Sequence, residues 1–171
     1  MPTNGRKGGY DRQHRALIRR IRVALGVTVL LITAFALLLG IAVQGDEGMQ
    51  PTYKKGQPIV YLRVIGECRR GDLVCLRLPD GTTALRRVVA VAGDSVELRG
   101  GIAYINGLAE RGSYSFTRTD PCPDGPVYPV ILRQGELFLL GDARETAADS
   151  RDFGVVSTSA LLGRLPRQSR E

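Results

Sequence analysis

The apolar and polar positions divide this chain into two unlike parts. From Val23 to Val43 there are 21 consecutive residues without a charge, rich in Leu, Val, Ile and Ala. As an α-helix such a run spans about 30 Å, the thickness of the hydrocarbon core of a bilayer. A cleaved signal peptide is the competing reading, because Gly40-Ile41-Ala42 weakly resembles a cleavage site. The run is longer than the apolar core of a signal peptide, which favours a single lasting membrane anchor.

Beyond the anchor the apolar segments shorten to strand length. Pro58–Val64, Asp72–Leu78, Ala84–Ala92, Ser95–Leu98, Ile102–Ile105 and Glu136–Leu140 are rich in Val, Ile and Leu and predict strands. Turn chemistry separates most of them, at Arg70-Gly71-Asp72, Asp80-Gly81, Gly93-Asp94, Gly100-Gly101 and Asn106-Gly107. No helical periodicity of useful length runs between residues 50 and 155, so an all-β domain is expected, a small barrel or sandwich. Pro121, Pro123, Pro126 and Pro129 exclude a central strand around residues 110–130 and predict a stiff surface loop. Ser157 is placed to cap a short helical turn over Ala160–Leu162.

Charge changes the picture at one end only. The net charge is +7, but residues 1–22 carry seven basic groups against the single acid Asp11, which is +6 and leaves +1 for the rest. The globular part therefore has no basic surplus, and nucleic-acid binding is not expected. The Lys/Arg bias before the apolar run predicts a cytoplasmic N-terminus and an extracytoplasmic domain. The division expected is a basic cytoplasmic tail over residues 1–22, with its first nine residues disordered, a transmembrane helix over 23–43, a domain over 44–163 and a frayed tail over 164–171. The basic tail could also hold acidic lipid head groups, though topology alone accounts for it.

Three cysteines, Cys68, Cys75 and Cys122, fall outside the membrane, where a disulfide is allowed and one thiol must be left over. Cys75, among apolar residues of a strand, reads as a buried small hydrophobe, leaving Cys68 and Cys122 as the candidate pair. The only histidine, His14, lies in the tail, and no spacing resembles a metal site. No metal and no cofactor are expected.

Four segments in order are similar to the signal peptidase I family: the anchor; Gly48-Met49-Gln50-Pro51-Thr52 followed by Gly56-Gln57; Gly71-Asp72-Leu73-Val74 with Leu85-Arg86-Arg87-Val88-Val89 and Gly93-Asp94-Ser95-Val96; and Gly141-Asp142-Ala143-Arg144 continuing to Asp149-Ser150-Arg151-Asp152-Phe153-Gly154. The first motif resembles the family's Ser-Met-x-Pro-Thr, with Gly48 in the serine's place. The second resembles Lys-Arg-Val and Pro-Gly-Asp-x-Val, with Arg86 in the lysine's place and Ala92 in the proline's. The last resembles Gly-Asp-Asn-Arg-x-x-Ser-x-Asp-Ser-Arg-x-x-Gly, with Ala143 replacing Asn and Ala147 replacing Ser.

The resemblance implies an all-β signal-peptidase-like domain after one transmembrane helix, and a serine peptidase whose lysine takes the serine's proton. A hydroxyl is a weak nucleophile without such a base, and an arginine side chain does not give up its proton in proteins. With Gly48 and Arg86 at the two positions, no catalytic residue is expected. The remaining lysines do not replace the base: Lys7 is on the cytoplasmic side, and Lys54 and Lys55 read as exposed charges. Counting from Gly45 instead would place Glu47 at the serine's position, which is no better. Asp46 and Glu47 read as solvated acids beside the membrane, and Ser150 as a serine that satisfies a local polar group.

The resemblance further implies a groove for an extended peptide, with Gly48, Met49, Pro51 and Arg86 as peptide-binding positions. Glycine at 48 is expected to open space beside the bound chain, and Met49 and Pro51 to keep an apolar floor. Gly141, Asp142, Arg144, Asp149, Ser150 and Arg151 are the structural motif. Signal-peptidase-like proteins without the Ser/Lys dyad accompany Gram-positive pilus gene clusters, so the implied role is that of a non-catalytic accessory for secreted or membrane-inserted chains, including pilins and a sortase. The alternatives are a signal peptidase with unorthodox or residual activity, and a degenerate copy with no binding role.

Overall fold

The computed structural model describes residues 7–63, 66–110 and 118–166, with side chains from residue 14 onward. It falls into two compact units, residues 1–38 and 39–171. The first contains the helix α1 (Lys7–Leu38). Its stretch His14–Leu38 is long and apolar enough to cross a membrane, about 37 Å at 1.5 Å per residue. Large apolar side chains along it, from Leu17 to Leu38, are exposed. Lys7–Gly9 are helical, against the disorder expected there; residues 1–6, where the rest of that expectation falls, lie outside the described residues.

The apolar run does not stay helical to Val43. Leu39–Val43 form strand β1, paired antiparallel along its whole length with β2 (Pro58–Leu62). Val64, the expected last residue of that second strand, lies outside the described residues. Apolarity alone does not separate a membrane helix from the edge strand that follows it. What separates them is a partner: Gly40 lies opposite Tyr61, and a Cβ at Gly40 would stand 2.2 Å from the tyrosine ring. On the other side of β2 a Cβ at Gly163 would stand 2.3 Å from the same ring.

The remaining strands are β3 (Leu73–Arg77), β4 (Thr83–Ala90), β5 (Ser95–Arg99), β6 (Ile102–Ile105), β7 (Leu108–Ala109), β8 (Val130–Ile131), β9 (Glu136–Leu140), β10 (Val156–Ser157) and β11 (Leu161–Arg164). They build a seven-stranded sheet in the order β1-β2-β11-β3-β4-β9-β10 and a four-stranded sheet in the order β7-β6-β5-β8. Among the described residues the domain is all-β apart from the one-turn helix α2 (Ser150–Phe153) and a 3-10 turn at Thr158–Ala160. Ser157 caps that turn as expected, but the turn closes at Ala160, and Leu161 and Leu162 belong to β11. The domain also runs past residue 163, since Leu165 is buried and its N–H donates to Leu73 O at 2.9 Å. Residues 167–171 of the expected frayed tail lie outside the described residues.

β4 is buried along seven of its eight residues because it is paired on both edges, with β3 and with β9. β5 keeps the alternation of a one-faced strand, turning Val96 and Leu98 inward. Three apolar clusters follow. Val74, Leu76, Val88, Leu137 and Leu139 centre one. Val96, Leu98, Ile105, Phe138 and Leu140 centre the second, and Met49, Ile59, Tyr61, Cys75 and Leu85 the third.

The candidate pair Cys68 and Cys122 is not formed. None of the three cysteines is in a disulfide; Cys68 is buried in the first cluster, while Cys122 Sγ donates to Asp152 Oδ1 at 3.1 Å. Burial, followed by that hydrogen bond, pushes the Cys122 thiol up to about 11, and burial alone does the same to Cys75. Only the thiolate is nucleophilic, so native Cys122 is expected to react with iodoacetamide at pH 7.5 about 10²-fold more slowly than an ordinary thiol. In denaturant without reductant all three thiols should label. Mass-spectrometric labelling checks both, and a missing pair of labels would restore the disulfide.

Candidate functional site

Three stretches meet at one point: residues 44–52 after β1, the first half of β4, and the turn from Gly141 to Asp149 after β9. The first is anchored to β4 by Gly45 N–H, which donates to Thr83 O at 3.0 Å, and by the wholly buried Met49 in the third cluster. The turn after β9 is held against it by Ala143 N–H, which donates to Gly48 O at 3.0 Å. A Cβ at Gly141 would stand 2.5 Å from that same oxygen and 2.2 Å from Ala147 Cβ, so only glycine permits this approach.

Gly48 and Arg86 are neighbours. A Cβ at Gly48 would lie 3.0 Å from Arg86 Nη2, 3.0 Å from Ala147 Cβ and 3.1 Å from Ala147 Cα. The missing side chain therefore does not open space for a bound chain, contrary to the expectation, because Arg86 and Ala147 fill it. Arg86 is 0% exposed. Its Nε donates to Ala148 O at 2.8 Å, and Nη1 donates to Leu85 O at 2.6 Å and to Asp46 Oδ1 at 3.3 Å. Its Nη2 is ion-paired with Asp46 Oδ2.

Asp46 is thus the counter-ion of a buried guanidinium, which corrects its reading as a solvated acid. Glu47 is exposed, as expected of it. Pro51 is exposed as well, and Met49 is wholly buried in the third cluster, so neither side chain forms an apolar floor. Lys54 and Lys55 lie on the surface. Beside Gly48 a cleft of about 200 Å³ is lined by Glu47, Gln50, Ala143, Glu145 and Thr146.

The structural motif frames this point with buried ion pairs. Asp142 accepts from Arg87 Nε at 2.8 Å, Arg87 Nη2 at 2.7 Å and Thr52 Oγ1 at 2.6 Å, tying the loop after β1 to β4. Arg144, 0% exposed at its side chain, donates to Gly141 O, to Thr119 Oγ1 and twice to Glu110. Asp149 caps α2 in a reciprocal capping box with Asp152 and accepts from Gly141 N–H and from the Arg151 guanidinium. For Arg151 burial opposes the charge, but Asp149 outweighs it and raises the guanidinium further. Ser150 Oγ accepts Leu139 N–H at 2.9 Å and is 0% exposed, a local polar role.

Sequence reading missed Gln44 and Asp46. Gln44 is 0% exposed, its Oε1 accepts Leu85 N–H at 2.8 Å and its Nε2 donates to Asp46 Oδ1 at 2.7 Å. Asp46 carried one signal, its position two residues before Gly48, whose N–H it accepts at 3.2 Å; that spacing is ordinary Asp turn chemistry. Gln44 carried none.

An apolar helix long enough to cross a membrane is followed by a β-domain whose convergent point is built from the loop after β1, β4 and the turn after β9. Residues 15–167 match the family described as signal peptidase, peptidase S26, and the chain belongs to that family. It is 26% identical over 163 residues to signal peptidase IB of Staphylococcus aureus (strain COL), covering 85% of this chain and 84% of that one. It is 30% identical over 160 residues to signal peptidase I of Bacillus licheniformis, covering 85% and 83%. A crystal structure of a signal peptidase I from Enterococcus faecalis V583 aligns with 60% of this chain and 100% of its own at 25% identity and a TM-score of 0.48.

Proposed function

We propose that this chain is a non-catalytic member of the family, anchored with its N-terminus in the cytoplasm and its domain outside. It holds extended segments of secreted or membrane-inserted chains during surface-protein assembly, with pilins and a sortase as the partners that the resemblance implies. The observation that carries the reading is Arg86. Where the family places a lysine base, this chain has a buried guanidinium in an ion pair with Asp46, and the adjoining residue, Gly48, has no hydroxyl. Neither half of a nucleophile–base pair is present. In a serine protease of another fold such a loss lowers kcat by about 10⁶. Strand-like binding of a peptide needs no such pair, because main-chain hydrogen bonds supply it.

The test is cleavage of a labelled signal-peptide-bearing preprotein by the full-length protein in liposomes. The parent is expected to leave it intact. Gly48→Ser/Arg86→Lys is expected to acquire slow cleavage. It is slow because Asp46 favours the protonated amine over the free base, and because a Cβ introduced at position 48 must displace Ala147 by a few tenths of an ångström. Cleavage by the parent that disappears with Ser150→Ala or Lys55→Ala would overturn the proposal in favour of an unorthodox peptidase. Silence of both proteins would point to a copy that has lost its groove.

A further inference from the structure

A carboxylate already sits beside Gly48, and it belongs to the chain itself. Asp46 Oδ1 accepts from Gln44 Nε2 at 2.7 Å, Gly48 N–H at 3.2 Å and Arg86 Nη1 at 3.3 Å, while Oδ2 is paired with Arg86 Nη2. The donors and the acceptor are not equally embedded. Gln44 and Arg86 are 0% exposed, whereas the Asp46 side chain keeps 24% of its surface. The donors also have supports of their own: Gln44 Oε1 holds Leu85 N–H, Arg86 Nε holds Ala148 O and Arg86 Nη1 holds Leu85 O.

The second observation is what these side chains do to β4. Its pairing with β9 begins only at Arg87. On that edge Leu85 has its N–H and C=O satisfied by the side chains of Gln44 and Arg86, where a sheet would ordinarily supply a neighbouring main chain. The carboxamide of Gln44 stands in for a peptide group, accepting from Leu85 and donating onward. The group it donates to is a carboxylate. An amide followed by a carboxylate is the chemistry of the last residue of a peptide.

We infer that this donor set is a receptor for the free C-terminal carboxylate of an extended chain, which exchanges with Asp46. The inference rests on the peptide-binding reading above and names the feature of the peptide that is bound. A guanidinium fork matches a carboxylate bidentately, and a buried guanidinium strongly disfavours losing its counter-charge without a replacement. Glycine at 48 only avoids crowding Arg86 Nη2, since a Cβ there would stand 3.0 Å from it and 3.0 Å from Ala147 Cβ. Glu47 and Glu145 in the adjoining cleft select against a second acidic group near the terminus.

The full chain in detergent micelles provides the test. Asp46→Ala removes the internal carboxylate, and its melting temperature is read in sodium acetate against sodium chloride of equal ionic strength. Acetate is expected to raise it above the chloride value, with no such difference in the parent or in Asp46→Ala/Arg86→Met. A labelled alanine-rich peptide should bind Asp46→Ala at least about tenfold more tightly as the free acid than as the C-terminal amide. If Asp46→Ala does not fold, Asp46→Asn, which keeps the shape and drops the charge, is read in both assays. Acetate no better than chloride, or acid and amide bound alike, overturns the carboxylate receptor; equal binding of the two peptides would leave the broader peptide-binding reading standing. Rescue by acetate with neither peptide bound would instead keep the receptor and sink the extended-chain reading.

Discussion

Asp142→Ala is expected to lower the unfolding free energy by about 3–5 kcal/mol, the usual effect of removing one partner of a buried ion pair. The Asp142 side chain is 0% exposed, and its partner Arg87 is 7% exposed at its side chain. Both carboxylate oxygens are used, Oδ1 by Arg87 and Oδ2 by Arg87 and Thr52. Truncation takes the carboxylate from a buried guanidinium and frees the loop that carries Gly48. Thr52→Val, which removes only the hydroxyl, should lower it by about 1 kcal/mol. In an Arg87→Met background the Asp142→Ala effect should shrink by roughly 0.5–3 kcal/mol, the coupling of contacting groups. Urea titration of the full chain in micelles measures all three, and a loss below about 1 kcal/mol for Asp142→Ala would show that the pair does not hold the site together.

Asp149→Ala should be of similar size, about 3–5 kcal/mol, for a different reason. One wholly buried carboxylate caps α2, receives Gly141 N–H at 3.0 Å and neutralises Arg151, whose Nη2 also reaches Arg144 O at 2.5 Å. Its removal leaves a buried N–H and a buried cation at the point where Gly141 touches Gly48. Asp152→Ala removes the other half of the capping box and the acceptor of the Cys122 thiol, on an exposed residue, and should lower stability by about 1 kcal/mol. Equal effects of the two variants would reduce Asp149 to a helix cap.

Much of this protein was legible before its fold. The apolar run required a membrane-length helix, and period, β-branched content and turn dipeptides located β2 to β6 and β9 to within a residue or two at most ends. These are local signals, set by neighbouring residues and by burial of one face. The resemblance to the signal peptidase I motifs likewise marked Gly48, Arg86 and the residues from Gly141 to Arg151 as one set.

What local signals could not supply is pairing. The point where helix becomes strand at Leu39 depends on β2, and the short strands β7, β8, β10 and β11 exist only because longer strands offer them an edge. The same holds at the site. Asp46 is a juxtamembrane acid in the sequence and the counter-ion of Arg86 in the fold; Gln44 is an ordinary polar residue that becomes the partner of a main-chain N–H 41 positions away. Sequence alone determined which side chains are missing at positions 48 and 86. The tertiary structure decided what fills their place, because a buried charge and a strand edge must each find a partner, and which one they find is set by the packing of segments far apart in the chain.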